Sequence, residues 1–296
     1  MPRKIGLPHI YDNVLLDRAS LKRQDENWLM HRRRDPETLV IAFNGLLVET
    51  EKAADRPRLR YRRAGELSTA LADDTIFLGM LGDRALFAID LGADHPSLEE
   101  TVELRSIGSL LEQGDAGILA YGRALFHWHR GHKFCGFCGG HTKVVQGGHA
   151  RRCPACGKEV FPRTDPAVIV LVTHGEFCLL GRSARFPPGM YSTLAGFVEP
   201  GESLEHCLRR EIFEEAGVEL IDWDYRSSQP WPFPQSLMLG FRARAKDRRL
   251  NIDKDELDDA VWLHKSELLS GECPVKLPSA DSIARALIED WLADQD

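Results

Sequence analysis

The amino-acid sequence predicts an α+β protein that is built from more than one domain. The chain has 296 residues, about the length of two domains of roughly 150 residues each. Short apolar strands around Asn-Gly and Gly-Asp turns occupy the first part of the chain, and a helical pattern follows them. Two Cys-X-X-Cys pairs then separate this region from a second one, which combines apolar strands with an amphipathic helix.

Residues 1–130 are predicted to form a mixed β/α domain. A helical period begins at Asp115 and runs through Trp128 into the first cysteine pair. Before it, two hairpins are expected, with their strands at Leu39–Ala42, Gly45–Glu49, Thr75–Leu81 and Arg84–Ile89. The segment Arg56–Arg63 carries five arginines, which fit either a solvated edge strand or an RNA-facing strand. The edge strand is the favoured interpretation.

Composition and charge narrow the class of protein. The chain is 43% hydrophobic and 28% charged, which is enough apolar material for a folded core. Its 38 basic and 45 acidic residues give a net charge of −7, which argues against a strongly basic nucleic-acid binder. The longest apolar run, Ala167–Val172, is far shorter than the ~20 residues that cross a bilayer, and the N-terminus lacks a secretory pattern. We therefore expect a soluble cytoplasmic protein without membrane contact.

The cysteine pairs indicate a metal site. Cys135 and Cys138 form one pair, Cys153 and Cys156 form the other, and 14 residues lie between the pairs. A glycine follows each pair, as in a zinc knuckle. Disulfides are the alternative, but they are rare inside cells. Four thiolates complete a closed tetrahedron, so residues 131–162 are predicted to be a central ribbon that folds around structural Zn²⁺.

An acidic helix is predicted within residues 196–218. Ser203 is a suitable N-cap, and Gly217 is a suitable residue to follow the helix. Glu211, Glu214 and Glu215 recur at i, i+3 and i+4, so their carboxylates project from one face and repel one another. Clustered carboxylates without histidine or thiolate suit Mg²⁺ or Mn²⁺. For three glutamates alone, an ordinary solvated acidic face would be the favoured interpretation.

The spacing around this helix is more specific than its charge. Gly196 is followed after five residues by Glu202 and after a further seven by Arg210-Glu211-Ile212, and Glu214-Glu215 and Gly217-Val218 complete the pattern. This pattern resembles the signature of the Nudix hydrolases at all nine specified positions. The resemblance implies that residues 163–296 form an α/β/α sandwich around a mixed sheet. It also implies hydrolysis of a nucleoside diphosphate linked to another moiety.

The resemblance also implies roles for single residues. Arg210 is expected to pair with Glu202 and so hold the loop against the helix. Glu215 is the first candidate for the general base, and Glu256 is the second. The implied ligands of Mg²⁺ or Mn²⁺ are Glu211, Glu214, Glu215, Glu256 and the Ala195 carbonyl.

A second motif narrows the range of possible substrates. Residues 228–238 read SQPWPFPQSLM, and so many prolines exclude regular helix or central strand. Alone, the segment would be read as a structural corner. After a Nudix motif it resembles the NADH pyrophosphatase branch, as do PRTDP at 162–166 and SIARALI at 282–288. The branch implies cleavage of NADH or NAD⁺ into AMP and nicotinamide mononucleotide, removal of NAD caps from RNA, and a homodimer.

The same branch implies the substrate contacts. Phe197 is expected to stack on a base, with Phe161 as the opposing ring where the family more often has tyrosine. The further expected contacts are Gln229, Trp231, Ser236 and the Ala284 backbone. Two alternatives remain open at this point. One is a Nudix enzyme that prefers ADP-ribose or a dinucleoside polyphosphate, and the other is a zinc-ribbon RNA-binding protein with a vestigial hydrolase.

Overall fold

A computed structural model describes residues 9–12, 15–52, 56–67, 70–92, 100–270 and 273–294 of the chain. The chain divides into two compact units. The N-terminal unit contains residues 10–164 and also Trp231–Gln235. The C-terminal unit contains His9, Asp165–Pro230 and the residues from Ser236 onward. The cysteine-rich residues 131–162 therefore lie in the N-terminal unit.

The described part of the N-terminal unit contains a seven-stranded sheet with the order β3-β2-β1-β6-β5, in which β4 pairs with β1 and β7 pairs with β2. β1 and β6 are parallel, and the hairpins β1–β2 and β5–β6 are antiparallel, so both predicted hairpins are confirmed. Gly45 lies in the first turn with φ +67°, a conformation that glycine adopts without strain. The strands are β1 (Leu39–Asn44), β2 (Leu47–Lys52), β3 (Pro57–Leu59), β4 (Arg62–Arg63), β5 (Ile76–Leu81), β6 (Arg84–Asp90) and β7 (Glu100–Glu103).

Three helices accompany this sheet: α1 (Glu26–Arg34), α2 (Leu104–Ile107) and α3 (Gln113–Gly131). α3 is the predicted helix that leads into the ribbon. Its buried Ile118 and Leu125 pack in one cluster with Ile41 and Phe43 of β1. Burial of this apolar face is the main reason that the helix is stable.

The arginine-rich segment lies at the edge of the sheet, as the favoured interpretation predicted. β3 is the terminal strand in the sheet order. Arg62 makes two hydrogen bonds to the fully buried Glu49, at 2.8 and 2.5 Å. Arg56 and Arg63 pair with Glu112 and Glu37. These three guanidinium groups are thus bound to carboxylates of the protein, whereas Arg58 of β3 is exposed.

The ribbon contributes a small antiparallel sheet with the order β10-β9-β8. Its strands are β8 (Lys143–Val145), β9 (Ala150–Arg152) and β10 (Glu159–Val160). The two cysteine pairs lie in the loops before β8 and between β9 and β10. The sheet therefore brings both pairs to one end of the ribbon.

The C-terminal unit is built on a mixed sheet with the order β14-β15-β11-β12-β16, and β13 pairs with β11. β11 is parallel to β15 and antiparallel to β12 and β13. Its strands are β11 (Asp165–His174), β12 (Phe177–Arg182), β13 (Leu194–Phe197), β14 (Leu220–Trp231), β15 (Ser236–Ala245) and β16 (Asp259–His264). Its helices are α4 (Leu204–Ala216), α5 (Lys265–Leu269) and α6 (Ile283–Ala293).

Two helices cover opposite faces of this sheet. Val168 and Val170 of β11 pack in the same cluster as Leu208 and Ile212 of α4. The alternate residues of β11, Ile169 among them, pack with α6. Because successive side chains of a strand point to opposite faces, β11 is buried on both sides. The predicted α/β/α sandwich around a mixed sheet is confirmed.

The proline-rich segment is divided between the end of an edge strand and a turn. β14 is the terminal strand of the sheet and ends at Trp231, residues 232–235 form turns, and β15 begins at Ser236. The absence of regular helix here agrees with the prediction. The exclusion of a central strand was wrong for residues 236–238, which belong to β15 between β14 and β11, because these three residues include no proline. None of the helices in the described ranges is long and apolar enough to span a membrane.

Candidate active site

Three carboxylates meet at the acidic face of α4. Ser203 caps the helix by accepting a hydrogen bond from the His206 amide, and Gly217 ends it with φ 68°. These caps fix the register in which Glu211 and Glu215 lie one turn apart on the same face. Glu256 comes from the loop before β16, and its carboxylate oxygen lies within 4.8 Å of those of Glu211 and Glu215.

The electrostatics of this cluster favour a bound cation. Glu215 is 8% exposed, and its buried Oε2 atom has no hydrogen-bond partner. Burial and the nearby Glu211 and Glu256 charges raise the pKa of Glu215 to about 8. Burial also raises the pKa of Glu211. A divalent cation would relieve both the repulsion and the lost hydration, and three carboxylates are the donor set that Mg²⁺ or Mn²⁺ prefers.

Gly196 allows the backbone of β13 to reach the Glu211 carboxylate. A Cβ atom added at Gly196 would lie 1.9 Å from Glu211 Cδ, so no side chain fits there without displacing the carboxylate. The neighbouring residue Ala195 pairs with Ile169 of β11. The strand therefore carries the predicted Ala195 carbonyl next to the glycine that borders the cluster.

Arg210 holds the loop that precedes α4. Its guanidinium donates to both carboxylate oxygens of Glu202, at 2.6 and 2.8 Å, so the predicted pair is present. It also donates to the Phe197 carbonyl at 3.1 Å. The hydrogen bond from Arg210 lowers the pKa of Glu202 to about 2, so Glu202 is anionic and serves as an anchor for the loop.

Glu214 differs from the other two glutamates of the helix. Its side chain is 54% exposed, and its Oε2 accepts a hydrogen bond from Arg210 at 3.0 Å. The structure thus brings together Glu211, Glu215 and Glu256 but not Glu214. A role for Glu214 in metal or water binding remains a prediction.

The predicted substrate residues of the C-terminal unit lie in different environments. Phe197 is 57% exposed, which leaves its ring accessible. Gln229 is fully buried, and its amide donates to the Asp281 carbonyl and accepts from the Ile283 amide, both at 2.7 Å. Gln229 therefore ties β14 to the start of α6. Ser236 and Ala284 are buried on β15 and α6.

The remaining predicted substrate residues lie in the N-terminal unit. Phe161 is 58% exposed directly after β10. Trp231 is half-buried and packs against Phe233 and Tyr11, with ring centroids 5.0 and 5.8 Å apart. The structure assigns Trp231 a packing contact.

Arg123 is a positioning residue that sequence reasoning missed. In α3 it donates to the Pro232 carbonyl and to Glu103, and its guanidinium lies 4.8 Å from the centre of the Phe233 ring. It therefore holds the Trp231–Gln235 turn within the N-terminal unit. An arginine in a helix gives no local signal of such a partner, because Pro232 is 109 residues away in the chain.

The four predicted zinc ligands converge at the end of the ribbon. Their sulfurs lie within 4.8 Å of one another, with Cys135 Sγ 3.7 Å from Cys156 Sγ and Cys138 Sγ 3.5 Å from Cys153 Sγ. Disulfide sulfurs are about 2.05 Å apart, whereas sulfurs held about 2.3 Å from one zinc ion are roughly 3.8 Å apart. All four thiols are free, so the site fits zinc and the disulfide alternative does not.

Backbone turns complete each knuckle of the ribbon. The amides of Gly139 and Gly157 donate to the carbonyls of Cys135 and Cys153, at 2.9 and 2.8 Å. Both glycines have positive φ, 74° and 73°, as the sequence predicted from their position after each pair.

Comparison with known proteins identifies the family. A NUDIX domain matches residues 162–288, an NADH pyrophosphatase zinc ribbon domain matches 130–161, and an NADH pyrophosphatase-like rudimentary NUDIX domain matches 37–128. The NAD-capped RNA hydrolase NUDT12 of Homo sapiens is 34% identical over 95% of this chain and 73% of its own length. This chain belongs to the Nudix hydrolases.

Bacterial relatives of this Nudix hydrolase are closer in sequence. The NAD-capped RNA hydrolase NudC of Stutzerimonas stutzeri is 44% identical over 70% of this chain and 73% of its own length. NudC of Deinococcus radiodurans is 41% identical over 78% of this chain and 82% of its own length. Together with the zinc ribbon and rudimentary NUDIX models, these relatives confirm the predicted NADH pyrophosphatase branch of the Nudix family.

Proposed function

We propose that this Nudix hydrolase is an NAD(H) diphosphatase that also removes NAD caps from RNA. The observation that carries the proposal is the Glu211, Glu215 and Glu256 cluster on the Nudix helix, in a chain with the NADH pyrophosphatase ribbon. The names of the NudC and NUDT12 relatives support NAD-capped RNA as a substrate. Cleavage of the pyrophosphate would release AMP and nicotinamide mononucleotide from NADH or NAD⁺.

Different residues of the site would bind the metal, accept the proton and position the loop. Glu211, Glu215 and Glu256 would hold Mg²⁺ or Mn²⁺, with the Ala195 carbonyl as a further ligand. The cation would neutralise the pyrophosphate oxygens and polarise phosphorus. Glu215 is our first candidate to take the proton of the attacking water, because its Oε2 is buried without a partner, and Glu256 is the second. Glu202 and Arg210 position the loop.

The finer features of the enzyme are also proposals. Phe197 and Phe161 expose rings that suit stacking on a base or nicotinamide. A Cys₄ site supports a reducing compartment, and we place the enzyme in the cytoplasm as a homodimer with one structural zinc per chain. For Gln229, Ser236 and Ala284 we propose that they shape the site through the packing of β14, β15 and α6.

The test compares kcat/KM for NADH, NAD⁺, ADP-ribose and a short NAD-capped RNA, with the products identified. We expect NADH and the capped RNA to be preferred over ADP-ribose. Glu211→Gln should lower kcat/KM by a factor of at least about 100, because a charged metal ligand is lost. The matched control is Glu219→Gln, an exposed glutamate paired with Lys246, and it should behave as wild type.

Three results would contradict the proposal. A preference for ADP-ribose or a dinucleoside polyphosphate would assign the substrate to another Nudix class. Unchanged NADH hydrolysis in Glu211→Gln would remove the metal site from the mechanism. Absence of hydrolysis in the wild-type protein would favour the vestigial hydrolase.

A further inference from the structure

The zinc ribbon presents aromatic rings to solvent. Phe134 is 59% exposed and Phe137 is 76% exposed, although both are large apolar side chains. They flank Cys135, so the metal-bound fold holds them in place while neither fills the core. The Phe134 ring contacts the exposed His141, with centroids 4.4 Å apart. Rings held rigidly on a surface are the feature on which unpaired nucleobases stack.

The charge of the ribbon is opposite to that of the whole chain. Residues 131–162 contain five basic side chains and one acidic side chain, whereas the chain has a net charge of −7. The tetrathiolate zinc complex would contribute two negative charges, and an excess of positive charge remains. The basic residues are Lys133, Lys143, Arg151, Arg152 and Lys158.

Three of these cations are free to bind a ligand. Lys133, Lys143 and Lys158 are exposed, and none forms an ion pair with a carboxylate in the described parts of the chain. Lys158 Nζ lies 5.3 Å from the centre of the Phe137 ring, and Lys133 directly precedes Phe134. Each ring therefore has a lysine near it, Lys158 in space and Lys133 in sequence. We call these five residues the ribbon surface: Lys133, Phe134, Phe137, Lys143 and Lys158.

We propose that the ribbon surface binds single-stranded RNA, namely the chain that follows the cap of an NAD-capped RNA. The inference rests on the proposed function for the identity of that RNA, but the surface and its charge do not depend on it. Exposed aromatic rings between cations are the arrangement that binds single strands, because the rings stack on bases and the cations contact phosphates. A duplex would leave the rings unused, since its bases are already stacked and paired.

A neighbouring cleft sets the limits of this surface. It is lined by Lys133, His141 and Lys143 and also by Asp73, Asp74 and Asp90. Carboxylates repel phosphate, so the RNA backbone should follow the outer surface near Phe134 and Phe137 and should not enter the cleft. Three residues of chain separate the Cα atoms of Phe134 and Phe137 by at most about 10 Å, which is a distance that a few nucleotides cover.

The test measures binding of a short, unstructured, fluorescein-labelled RNA without a cap to the full-length, zinc-loaded protein by fluorescence anisotropy. The double variant Phe134→Ala/Phe137→Ala should raise Kd about tenfold or more. Phe137→Trp should retain binding and Phe137→Leu should not, because a base stacks on an aromatic face, which tryptophan has and leucine lacks. Replacing the three lysines by glutamine should reduce the slope of log K against log salt concentration by about 2.

The matched controls remove an aromatic ring and a lysine outside the ribbon surface. Tyr225→Ala removes a ring that is 43% exposed, and Lys246→Gln removes a lysine paired with Glu219. Neither should change Kd for RNA. All ribbon variants should keep one zinc per chain and wild-type hydrolysis of free NADH, while KM for NAD-capped RNA rises.

The failures of the two proposals are distinguishable. Unchanged Kd in the double phenylalanine variant, or equal binding of a duplex, would overturn the ribbon proposal while NADH hydrolysis continues. A change of oligomeric state in that variant, measured by light scattering, would instead make the rings a contact between copies of the chain and would also overturn it. If the wild-type protein hydrolyses neither NADH nor capped RNA, the proposed function fails, and binding of the uncapped RNA still decides the role of the ribbon surface.

Discussion

Glu211, Glu215 and Glu256 repel one another more strongly than glutamates on a helix surface do. Like charges one turn apart in water cost only a few tenths of a kcal/mol. Here their carboxylate oxygens lie within 4.8 Å, and burial lowers the dielectric screening between them. Burial, and after it the charges of Glu211 and Glu256, raise the pKa of Glu215 to about 8. A divalent cation converts the repulsion into a binding site.

The first prediction concerns Glu215 in protein free of Mg²⁺ and Mn²⁺. Its pKa rises from 4.5 to about 8 on folding, so the unfolded chain loses this proton first as pH rises. The contribution of Glu215 to the stability of the metal-free protein should therefore fall by on the order of a few kcal/mol between about pH 4.5 and pH 8. Urea unfolding across this range should show that the stability of Glu215→Gln relative to wild type increases as the pH rises.

Added Mg²⁺ should restore the stability of wild type at pH 8 and should not stabilise Glu215→Gln to the same extent. Glu205→Gln, at the start of the same helix, provides the control and should follow the wild-type profile at neutral to alkaline pH. An identical dependence of stability on pH in Glu215→Gln and wild type would show that Glu215 is not the group whose pKa is raised.

The second prediction concerns Gly196. Gly196→Ala adds a Cβ atom that would lie 1.9 Å from Glu211 Cδ, so the carboxylate must move away. We expect Mn²⁺, measured by titration calorimetry, to bind at least about tenfold more weakly, and kcat/KM to fall as well. Tm should change little, because the end of the Glu211 side chain can move. Gly131→Ala, where the added Cβ meets no atom within 4 Å, should leave both quantities unchanged.

At the scale of secondary-structure elements, two uncharged histidines connect the ribbon to α3 and to β5. His129 accepts a hydrogen bond from Arg151 at 2.9 Å and donates to the Gly148 carbonyl at 2.8 Å. His149 donates to the Phe77 carbonyl of β5 at 2.8 Å, and the Tyr121 hydroxyl lies beside its ring. Burial lowers the pKa of both histidines to about 4. Both rings are therefore uncharged at neutral pH.

The third prediction follows from these two rings. The unfolded histidines take up protons near pH 6.5 and the folded ones only near pH 4, so the contribution of the two histidines to stability is full above pH 6.5 and falls as the pH drops toward 4. The loss should reach several kcal/mol for the pair. Urea unfolding between pH 7.5 and pH 4.5 measures it.

His129→Gln and His149→Gln should each be less stable at pH 7.5 and less sensitive to acid. His31→Gln, which changes an exposed histidine of α1, serves as the control and should keep the wild-type slope. A wild-type slope in both buried-histidine variants would assign the acid sensitivity to other groups.

At the scale of the whole molecule, charge is distributed unevenly along the chain. Residues 196–217 hold six glutamates and two arginines, whereas residues 131–162 are basic. The acidic excess is thus concentrated where divalent cations are expected, and the net charge of −7 does not argue against a phosphate-rich substrate. The basic region provides the complementary surface for an RNA backbone.

The fourth prediction is the oligomeric state of the whole chain. The NADH pyrophosphatase branch implies a homodimer, so light scattering after gel filtration should give twice the chain mass of 33.3 kDa. The mass should not change with salt concentration, because stable homodimer interfaces are mainly apolar. A mass of one chain at micromolar concentration would contradict the prediction.

The features that the sequence predicted are those encoded over short distances. Ser203 and Gly217 mark the ends of α4 in one local segment, and spacing places Glu211 and Glu215 on one face. The cysteine pairs and their glycines likewise specify the two knuckles. Capping, helical periodicity and turn geometry act within a few residues, so they can be recognised before the fold is known.

Only the tertiary structure decided which of these groups meet. It brought Glu256 to Glu211 and Glu215, left Glu214 exposed beside Arg210, and engaged both ends of the Gln229 amide inside the C-terminal unit. It also joined Arg123 to the Pro232 carbonyl. These contacts depend on how distant segments pack and on which charges that packing removes from water. The sequence by itself therefore determined the family, the ribbon and the acidic helix, and the packing determined the environment in which each side chain acts.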